Sequence, residues 1–143
     1  MIIGAKQALI NGEIRDDVLI EVVDGVILTV NATETPELSI DGTLIPGFVD
    51  IHCHGGGGRY FSAKNSEDIQ KVIDTHRAHG TTTMLASLVS EPIHSLKEQI
   101  KRLLPYVHRG AIAGIHLEGP YLSPQKCGAH DPALLRDPVP AEL

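Results

Sequence analysis

Aromatic side chains are scarce in this 143-residue chain, and tryptophan is absent. Aromatic residues make up only 3% of the chain, so the predicted core is aliphatic, built from Ile, Leu, Val and Ala. Hydrophobic residues nevertheless reach 42% and charged residues 21%, a mixture typical of globular chains and not of disordered ones. The composition therefore predicts a folded chain with an aliphatic core.

Several other features are missing, and each absence argues against a class of protein. The formal net charge is −6 and lysines and arginines are scattered, so neither a nucleic-acid surface nor a polybasic membrane patch is expected. No apolar run approaches the ~20 residues that a membrane span needs. The N-terminus does not resemble a secretory signal, and two cysteines do not make a disulfide framework. We expect a cytoplasmic protein.

Residues 1–45 show short apolar runs separated by turn dipeptides, a pattern that predicts strands. The turn dipeptides are Asn11-Gly12, Asp24-Gly25 and Asp41-Gly42, and the runs between them include Ala8–Ile10, Val18–Val23 and Val26–Val30. We expect a small β-rich domain over residues 1–45.

From residue 46 onward, predicted strands alternate with predicted helices. A strand begins at Phe48, and the segments that follow are a helix over 66–79, a strand over 81–89, a helix from near Ser90 and a strand over 111–117. Asn65 or Ser66 is the expected cap of the first helix, Gly80 its stop, and Pro105 is expected to end or kink the second. This alternation predicts an α/β fold with a parallel sheet.

Three strands and two helices are too few to close a (β/α)₈ barrel, which takes ~250 residues. The last residues, 141–143, look like the start of another helix. We therefore predict that residues 46–143 are the first strands and helices of a truncated (β/α)₈ TIM-type barrel, in the N-terminal portion of a longer enzyme.

The stretch FVDIHCHGGGG, residues 48–58, places two histidines at the end of an apolar strand. His52 and His54 are two residues apart, so both face one side, and two such imidazoles can bind one divalent metal. The alternative is two solvent-facing histidines in a loop. Cys53 points to the opposite face and is expected to pack. Gly55–Gly58 either lets a substrate approach the backbone or forms a flexible turn; it lacks the residues of a nucleotide loop.

Glu118 ends the third predicted strand, where burying a carboxylate costs several kcal/mol unless it is paired or coordinated. Metal coordination would compensate that cost. His116 shares its parity and is expected to have a hydrogen-bonded supporting role, and His130 lies in a glycine-containing loop that could fold over the site. Asp50 is expected to accept a structural hydrogen bond, Cys127 to be incidental, and His76, His79, His94 and His108 to be surface or helix-terminus residues.

Three motifs in order, PGFVDIHCHG, HGTTTMLASLVS and GIHLEGPYLSPQKCGAHDP, resemble the N-acetylglucosamine-6-phosphate deacetylases of the amidohydrolase superfamily. The first motif marks the superfamily, and the third is far more specific. The resemblance implies a barrel flanked by a small β-sandwich built from both chain ends. Residues 1–45 would be the N-terminal part of that sandwich, and 46–143 the start of the barrel.

The resemblance also implies functional residues. Glu118 matches the carboxylate ligand of the main catalytic metal, and His52 with His54 matches the ligand pair of a second metal. The resemblance therefore implies one or two divalent ions per subunit, with zinc as the expected metal. His130 matches a catalytic residue that contacts the substrate and polarises its acetyl carbonyl. Backbone groups of Gly119 and Pro120 would touch the sugar.

The implied reaction is deacetylation of N-acetyl-D-glucosamine 6-phosphate to D-glucosamine 6-phosphate and acetate, in amino-sugar catabolism. A metal would lower the pKa of water from ~15.7 toward ~7 to supply the nucleophile. Two further histidine ligands, a catalytic aspartate and the phosphate contacts belong to later strands, so this chain alone is expected to be inactive. A homodimer is implied for the full-length enzyme.

Two alternatives stay open. A cyclic-amide hydrolase of the same superfamily, such as a dihydroorotase or hydantoinase, shares the HxH motif but bridges its metals with a carboxylated lysine, and the third strand offers Glu118 and no lysine. A truncated, non-catalytic metal-binding module is the other.

Overall fold

A computed structural model of the chain describes residues 1–140, which divide into two compact units, the first over Met1–Pro46 and the second from Gly47 onward. The helix start expected at residues 141–143 lies outside the described residues. Within the described part of the chain, no helix is long and apolar enough to cross a membrane.

The first unit is a four-stranded sheet in the order β3-β2-β1-β4. Its strands are β1 (Ile2–Ile10), β2 (Glu13–Val23), β3 (Val26–Val30) and β4 (Leu38–Leu44). β1, β2 and β3 pair antiparallel, whereas β4 runs parallel to β1. Asn11-Gly12 and Asp24-Gly25 have positive φ at both residues, as the tight turns of antiparallel hairpins require, which confirms two of the three predicted turns.

The third predicted turn, at Asp41-Gly42, is wrong because both residues lie inside β4. The register of β4 against β1 shifts between the pairs Ala5↔Ile40 and Gln7↔Thr43. Between these two pairs β4 advances by three residues while β1 advances by two, and a β-bulge in β4 accommodates the extra residue. A dipeptide that permits a turn is here used to bend a strand.

The second unit contains a parallel three-stranded sheet in the order β5-β8-β9, with a helix in each crossover. Its elements are β5 (Phe48–Cys53), a short hairpin of β6 (Gly55–Gly56) and β7 (Arg59–Tyr60), α1 (Ser66–Ala78), β8 (Thr81–Val89), α2 (Ile93–His108) and β9 (Gly114–Glu118). The predicted alternation of strand and helix is confirmed, and the fold is mixed α/β.

Local sequence explains the bounds of α1. Asn65 is the N-cap, and its side chain accepts a hydrogen bond from the backbone N–H of Asp68, as predicted for this residue type. Ile69, Val72 and Ile73 are buried on one face of the helix. After the helix the chain turns at Gly80, where φ is +91°, a conformation that favours glycine.

The predicted start of α2 near Ser90 is wrong, and Pro105 does not end the helix. The helix begins at Ile93 after Pro92, and it continues through Pro105 to His108. Leu103 and Tyr106, on either side of Pro105, are 0% and 6% exposed, so packing of the last turn offsets the backbone hydrogen bond that proline cannot make. The third strand begins at Gly114, three residues later than predicted.

The core of the second unit lies between the parallel sheet and its two helices, and it is mostly aliphatic, as predicted, although the aromatic side chains of Phe61 and Tyr106 are also buried. Its buried members are Cys53, Phe61, Ile69, Val72, Ile73, Met84, Ala86, Leu88, Leu96, Leu103, Tyr106 and Ile112. Since β5, β8 and β9 are parallel, their carboxyl ends share one edge of the sheet, and that edge is where ligands bind in α/β folds.

Candidate metal centre

Three donor groups from two strands meet at the carboxyl edge of the parallel sheet. His52 is the penultimate residue of β5, His54 directly follows that strand, and Glu118 is the last residue of β9. The Nε2 atoms of His52 and His54 lie 3.0 Å and 2.9 Å from the same Glu118 oxygen, Oε2, and 3.1 Å from each other. The structure therefore brings together the three residues that the sequence predicted as ligands.

A hydrogen bond from His54 to the neighbouring strand determines which of its ring nitrogens carries the proton. Its Nδ1 lies 3.1 Å from the backbone carbonyl oxygen of Ser87, which only accepts hydrogen bonds, so Nδ1 carries the proton. In the neutral ring, Nε2 then presents a lone pair to the Glu118 carboxylate, and two acceptors face each other. A proton or a cation must lie between them.

The spacing of the donor atoms fits a divalent cation. Atoms bound to one zinc ion at ~2.1 Å stand about 3.0 to 3.4 Å apart, close to the spacing among His52, His54 and Glu118. Imidazole nitrogen and carboxylate oxygen are also ligand types that zinc accepts. The residues present fit the group that the sequence predicts.

The surroundings of Glu118 favour the ionised form of its carboxyl group, which is the form that binds a metal ion. Partial burial raises the pKa of its carboxyl group, but hydrogen bonds from His52 and His130, with the charge those rings carry when protonated, outweigh burial and hold the pKa below its usual value. The carboxylate is therefore ionised at neutral pH.

His130 also reaches this cluster, from the loop that follows β9. Its Nε2 lies 3.3 Å from Oε1 of Glu118, and its side chain is 9% exposed. Its Nδ1 lies 2.9 Å from Oγ of Ser90 and accepts from the Ser90 backbone N–H at 3.4 Å. These contacts favour the tautomer in which Nε2 carries the proton and points toward Glu118.

Ser87 and Ser90 were missed in the sequence, although a polar residue within an apolar strand was a signal for the first. Ser87 is 2% exposed; its Oγ accepts from the Cys53 backbone N–H at 3.1 Å and lies 2.9 Å from Nδ1 of His116. The His116 ring stands edge-on to His52, with centroids 4.9 Å apart. The supporting role predicted for His116 agrees with this network.

Gly119 and Pro120 directly follow Glu118 but border a different cavity from the donor cluster. They border a cavity of about 530 Å³ together with apolar side chains of α2, whereas His52, His54, Glu118 and His130 border another cavity of about 710 Å³. Gly119 has φ of +90°, and a Cβ there would overlap Oγ of Ser90. Their predicted contact with a sugar stays a prediction.

Two of the glycines of residues 55–58, Gly56 and Gly57, make room for side chains of α1. A Cβ on Gly56 would lie 2.8 Å from Nε2 of His76, and one on Gly57 would overlap Oγ1 of Thr75. Asp50, as predicted, accepts a hydrogen bond, from the His52 backbone N–H at 3.1 Å. His76, predicted to be a surface or helix-terminus residue, lies in the last turn of α1, and its Nε2 is 3.1 Å from Sγ of Cys53.

Comparison with known proteins bears on this centre directly. The sequence profile of the Amidohydrolase family matches residues 43–142, which is most of the chain. The chain belongs to the amidohydrolase family. The donor cluster and both helices of the second unit fall within the matched region.

Two of the proteins that the chain resembles are named as deacetylases of N-acetylated amino-sugar phosphates. The chain is 35% identical to the N-acetylgalactosamine-6-phosphate deacetylase of Shewanella sp. (strain ANA-3), over 93% of this chain and 36% of that protein. It is 31% identical to the N-acetylglucosamine-6-phosphate deacetylase of Haemophilus influenzae, over 92% of this chain and 34% of that protein.

A solved structure shares the fold of this amidohydrolase chain. The N-acetyl-D-glucosamine-6-phosphate deacetylase of Mycobacterium smegmatis superimposes with a TM-score of 0.87 and 42% identity, over 99% of this chain and 42% of that chain. The present chain thus spans less than half the length of the relatives it matches.

Proposed function

We propose that this chain contributes part of the catalytic unit of a metal-dependent N-acetylglucosamine-6-phosphate deacetylase. The observation that carries the proposal is the convergence of His52, His54 and Glu118 at the carboxyl edge of the parallel sheet. The names of the relatives supply the substrate class, an N-acetylated amino sugar 6-phosphate.

We further propose that the second unit is the beginning of a (β/α)₈ barrel, and that residues 1–45 belong to a small β-sandwich. The support is the order β5-α1-β8-α2-β9, in which each helix connects neighbouring parallel strands. The position of the donors at the carboxyl ends of strands agrees with this proposal, because barrel active sites lie on that face. Cytoplasmic location and a homodimer remain predictions from the sequence.

His52, His54 and Glu118 would hold the cation, which we propose to be zinc, with one or two ions per subunit. A divalent ion in this position supplies Lewis acidity and lowers the pKa of water from ~15.7 toward ~7. Ser87 fixes His54 with its Nε2 lone pair toward the centre. Glu118 contributes an ionised carboxylate that offsets the charge of the cation.

His130 would act on the acetamide group. Ser90 holds its Nδ1, so that the Nε2–H group points into the cavity beside Glu118. An N–H donor in that position can bind the acetyl carbonyl oxygen and stabilise the negative charge that develops there, an effect typically worth about 3 to 4 kcal/mol. The reaction would release acetate and glucosamine 6-phosphate.

Acetate release by the protein that carries this chain tests the proposal. We expect activity on N-acetylglucosamine 6-phosphate, and a loss of at least about a hundredfold in kcat/KM for Glu118→Gln, since the carboxylate is proposed as a metal ligand. Exposed Glu98 on α2 offers a control, because Glu98→Gln leaves the centre untouched.

The substrate panel separates the alternatives. It should include N-acetylgalactosamine 6-phosphate, the 4-epimer named for the Shewanella relative, and dihydroorotate as a cyclic amide. Preference for the galactose epimer would correct the sugar and keep the chemistry. Hydrolysis of the cyclic amide without acetate release would contradict the proposal.

A further inference from the structure

A second cluster of potential metal ligands lies beside the same strand as the first. Asp50, Cys53 and His76 each offer one ligand atom, and the three atoms lie within 4.8 Å of one another. Sγ of Cys53 is 3.1 Å from Nε2 of His76, and the carbonyl oxygen of Gly55 lies 3.5 Å from that sulfur and 3.0 Å from that nitrogen. A thiol, an imidazole and a carboxylate therefore converge on one point.

Strand geometry explains how these donors come together. Cys53 lies between His52 and His54, points away from them and is 5% exposed. Strict alternation would place Asp50 on the face opposite Cys53, but the register of β5 against β8 shifts between these two residues. That irregularity lets the Asp50 carboxylate join Cys53.

The absence of a side chain at Gly56 leaves space for the third donor, His76. His76 belongs to the last turn of α1, and its Nε2 occupies the space that a Cβ on Gly56 would need. A cavity of about 520 Å³ borders Asp50, Cys53 and His76, and it also borders His52 and His54 of the first cluster.

We propose that Asp50, Cys53 and His76 form a second cation site, specific for zinc-like divalent ions. Zinc binds thiolate sulfur at ~2.3 Å and imidazole nitrogen at ~2.0–2.1 Å, whereas magnesium and calcium prefer oxygen ligands. On binding, the S–H bond of Cys53 breaks, its proton passes to solvent, and the thiolate electron pair forms the bond to the cation. The Nε2 atom of His76 donates to the Gly55 carbonyl in the metal-free chain, so the ring must lose this proton and take one up at Nδ1 before Nε2 can bind the cation. No group changes oxidation state.

The site has three protein ligands and a fourth position within reach of the Gly55 carbonyl or water. A cation there would link α1 to the end of β5, the strand that also carries His52. This inference does not rest on the proposed deacetylase function, since it uses none of the three donor residues of the first cluster.

Cobalt(II) titration of the whole 143-residue chain distinguishes this site from the first. Only a thiolate ligand gives the near-ultraviolet sulfur-to-cobalt charge-transfer band, and the cluster of His52, His54 and Glu118 contains no sulfur. Cys53→Ser and His76→Gln test the site, and Cys127→Ser is the matched control because Cys127 is the other free cysteine. A His52→Asn/Glu118→Gln double variant removes ligands of the first cluster only.

We expect the band to saturate at one ion per chain and to be absent in Cys53→Ser. His76→Gln should weaken the affinity at least about tenfold, because even partners outside the ligand shell typically contribute 10- to 100-fold. Cys127→Ser and the double variant should keep the band, and X-ray absorption of the zinc-loaded chain should show one sulfur neighbour at ~2.3 Å.

Absence of the band in the folded wild-type chain would overturn the proposal, as would its survival in Cys53→Ser or its loss in Cys127→Ser. Circular dichroism checks that each variant folds. If Cys53→Ser does not fold, His76→Gln decides the question, because His76 is only partly buried and unchanged affinity there would exclude it as a ligand. Loss of the first cluster with retention of the band separates this inference from the proposed function.

Discussion

Ser87 contacts three parts of the candidate centre through one side chain and one backbone group. Its carbonyl orients His54, and its hydroxyl holds both the Cys53 backbone and the His116 ring. Because metal-binding histidines depend on the hydrogen bond made by their other ring nitrogen, the residues that support them are part of the centre. At the scale of single residues, β8 supplies that support between the two strands that carry the donors.

Ser87→Ala should weaken zinc binding and destabilise the fold. The variant leaves the Cys53 N–H and the His116 ring nitrogen without their partner, and a buried unsatisfied polar group costs about 1 to 3 kcal/mol. Zinc affinity should fall because the His116 ring, which stands against His52, loses its hydrogen-bond partner, whereas the backbone carbonyl that orients His54 is kept. Isothermal titration calorimetry measures the affinity, and urea denaturation should report the loss of stability. Exposed Ser123→Ala is the control, and equal behaviour of the two variants would show that Ser87 has no such role.

Single residues also show how far sequence reasoning reaches. Alternation along a strand and position at a strand end were enough to select His52, His54 and Glu118, because both are local properties. Ser87 and His76 were not found. Their partners are distant in sequence, and His76 reaches Cys53 only because a glycine hairpin passes beside α1.

At the scale of elements, the start of α1 is held by a small network of polar side chains. Asn65 caps the helix, and Asp68 accepts hydrogen bonds from both the Asn65 amide and the Arg59 guanidinium. An acidic residue in the first turn also interacts favourably with the helix dipole. This network connects the hairpin of β6 and β7 to the helix that carries His76.

Asp68 should contribute to the pH dependence of stability. The hydrogen bond from Asn65, aided by Arg59, lowers the pKa of Asp68. A lowered pKa in the folded state gives stability that is present above the unfolded value of ~3.9 and is lost as the pH falls through the folded value. Asp68→Asn should therefore lose less stability between neutral pH and pH 3 than the wild type does.

Urea denaturation at several pH values measures this effect. Glu67→Gln, one residue earlier in the same turn, is the control and should keep the wild-type acid dependence. An unchanged pH profile in Asp68→Asn would contradict the role assigned to this carboxylate.

Elements were predicted well where local signals agree with packing and poorly where they conflict. The strand Thr81–Val89 and the cap at Asn65 match the structure. Asp41-Gly42 and Pro105 do not act as breaks, because strand pairing and helix packing override local preference. These are long-range effects that no short window of sequence contains.

At the scale of the whole molecule, the second unit presents apolar side chains to solvent along β5. Phe48, Val49 and Ile51 are 58%, 66% and 67% exposed. The alternation of strands and helices was visible in the sequence, whereas the extent of this exposed surface was not, because exposure depends on what else packs against the sheet. The relatives, more than twice as long as this chain, have further residues that could cover such a surface.

We expect the 143-residue chain by itself to bind zinc but to release no acetate from N-acetylglucosamine 6-phosphate. The chain spans about two fifths or less of its relatives, and the first cluster supplies two histidines and one carboxylate. A coupled acetate assay on the zinc-loaded chain measures this. Turnover above a metal-free control would show that the described residues are a sufficient catalytic unit.

The most direct test of the central claim is anomalous diffraction at the zinc edge from crystals of the zinc-loaded chain. The account predicts a peak bonded to Nε2 of His52, Nε2 of His54 and a Glu118 carboxylate oxygen, each at ~2.0–2.2 Å. No peak there at saturating zinc, or side chains of these residues turned away from a common point, would contradict it.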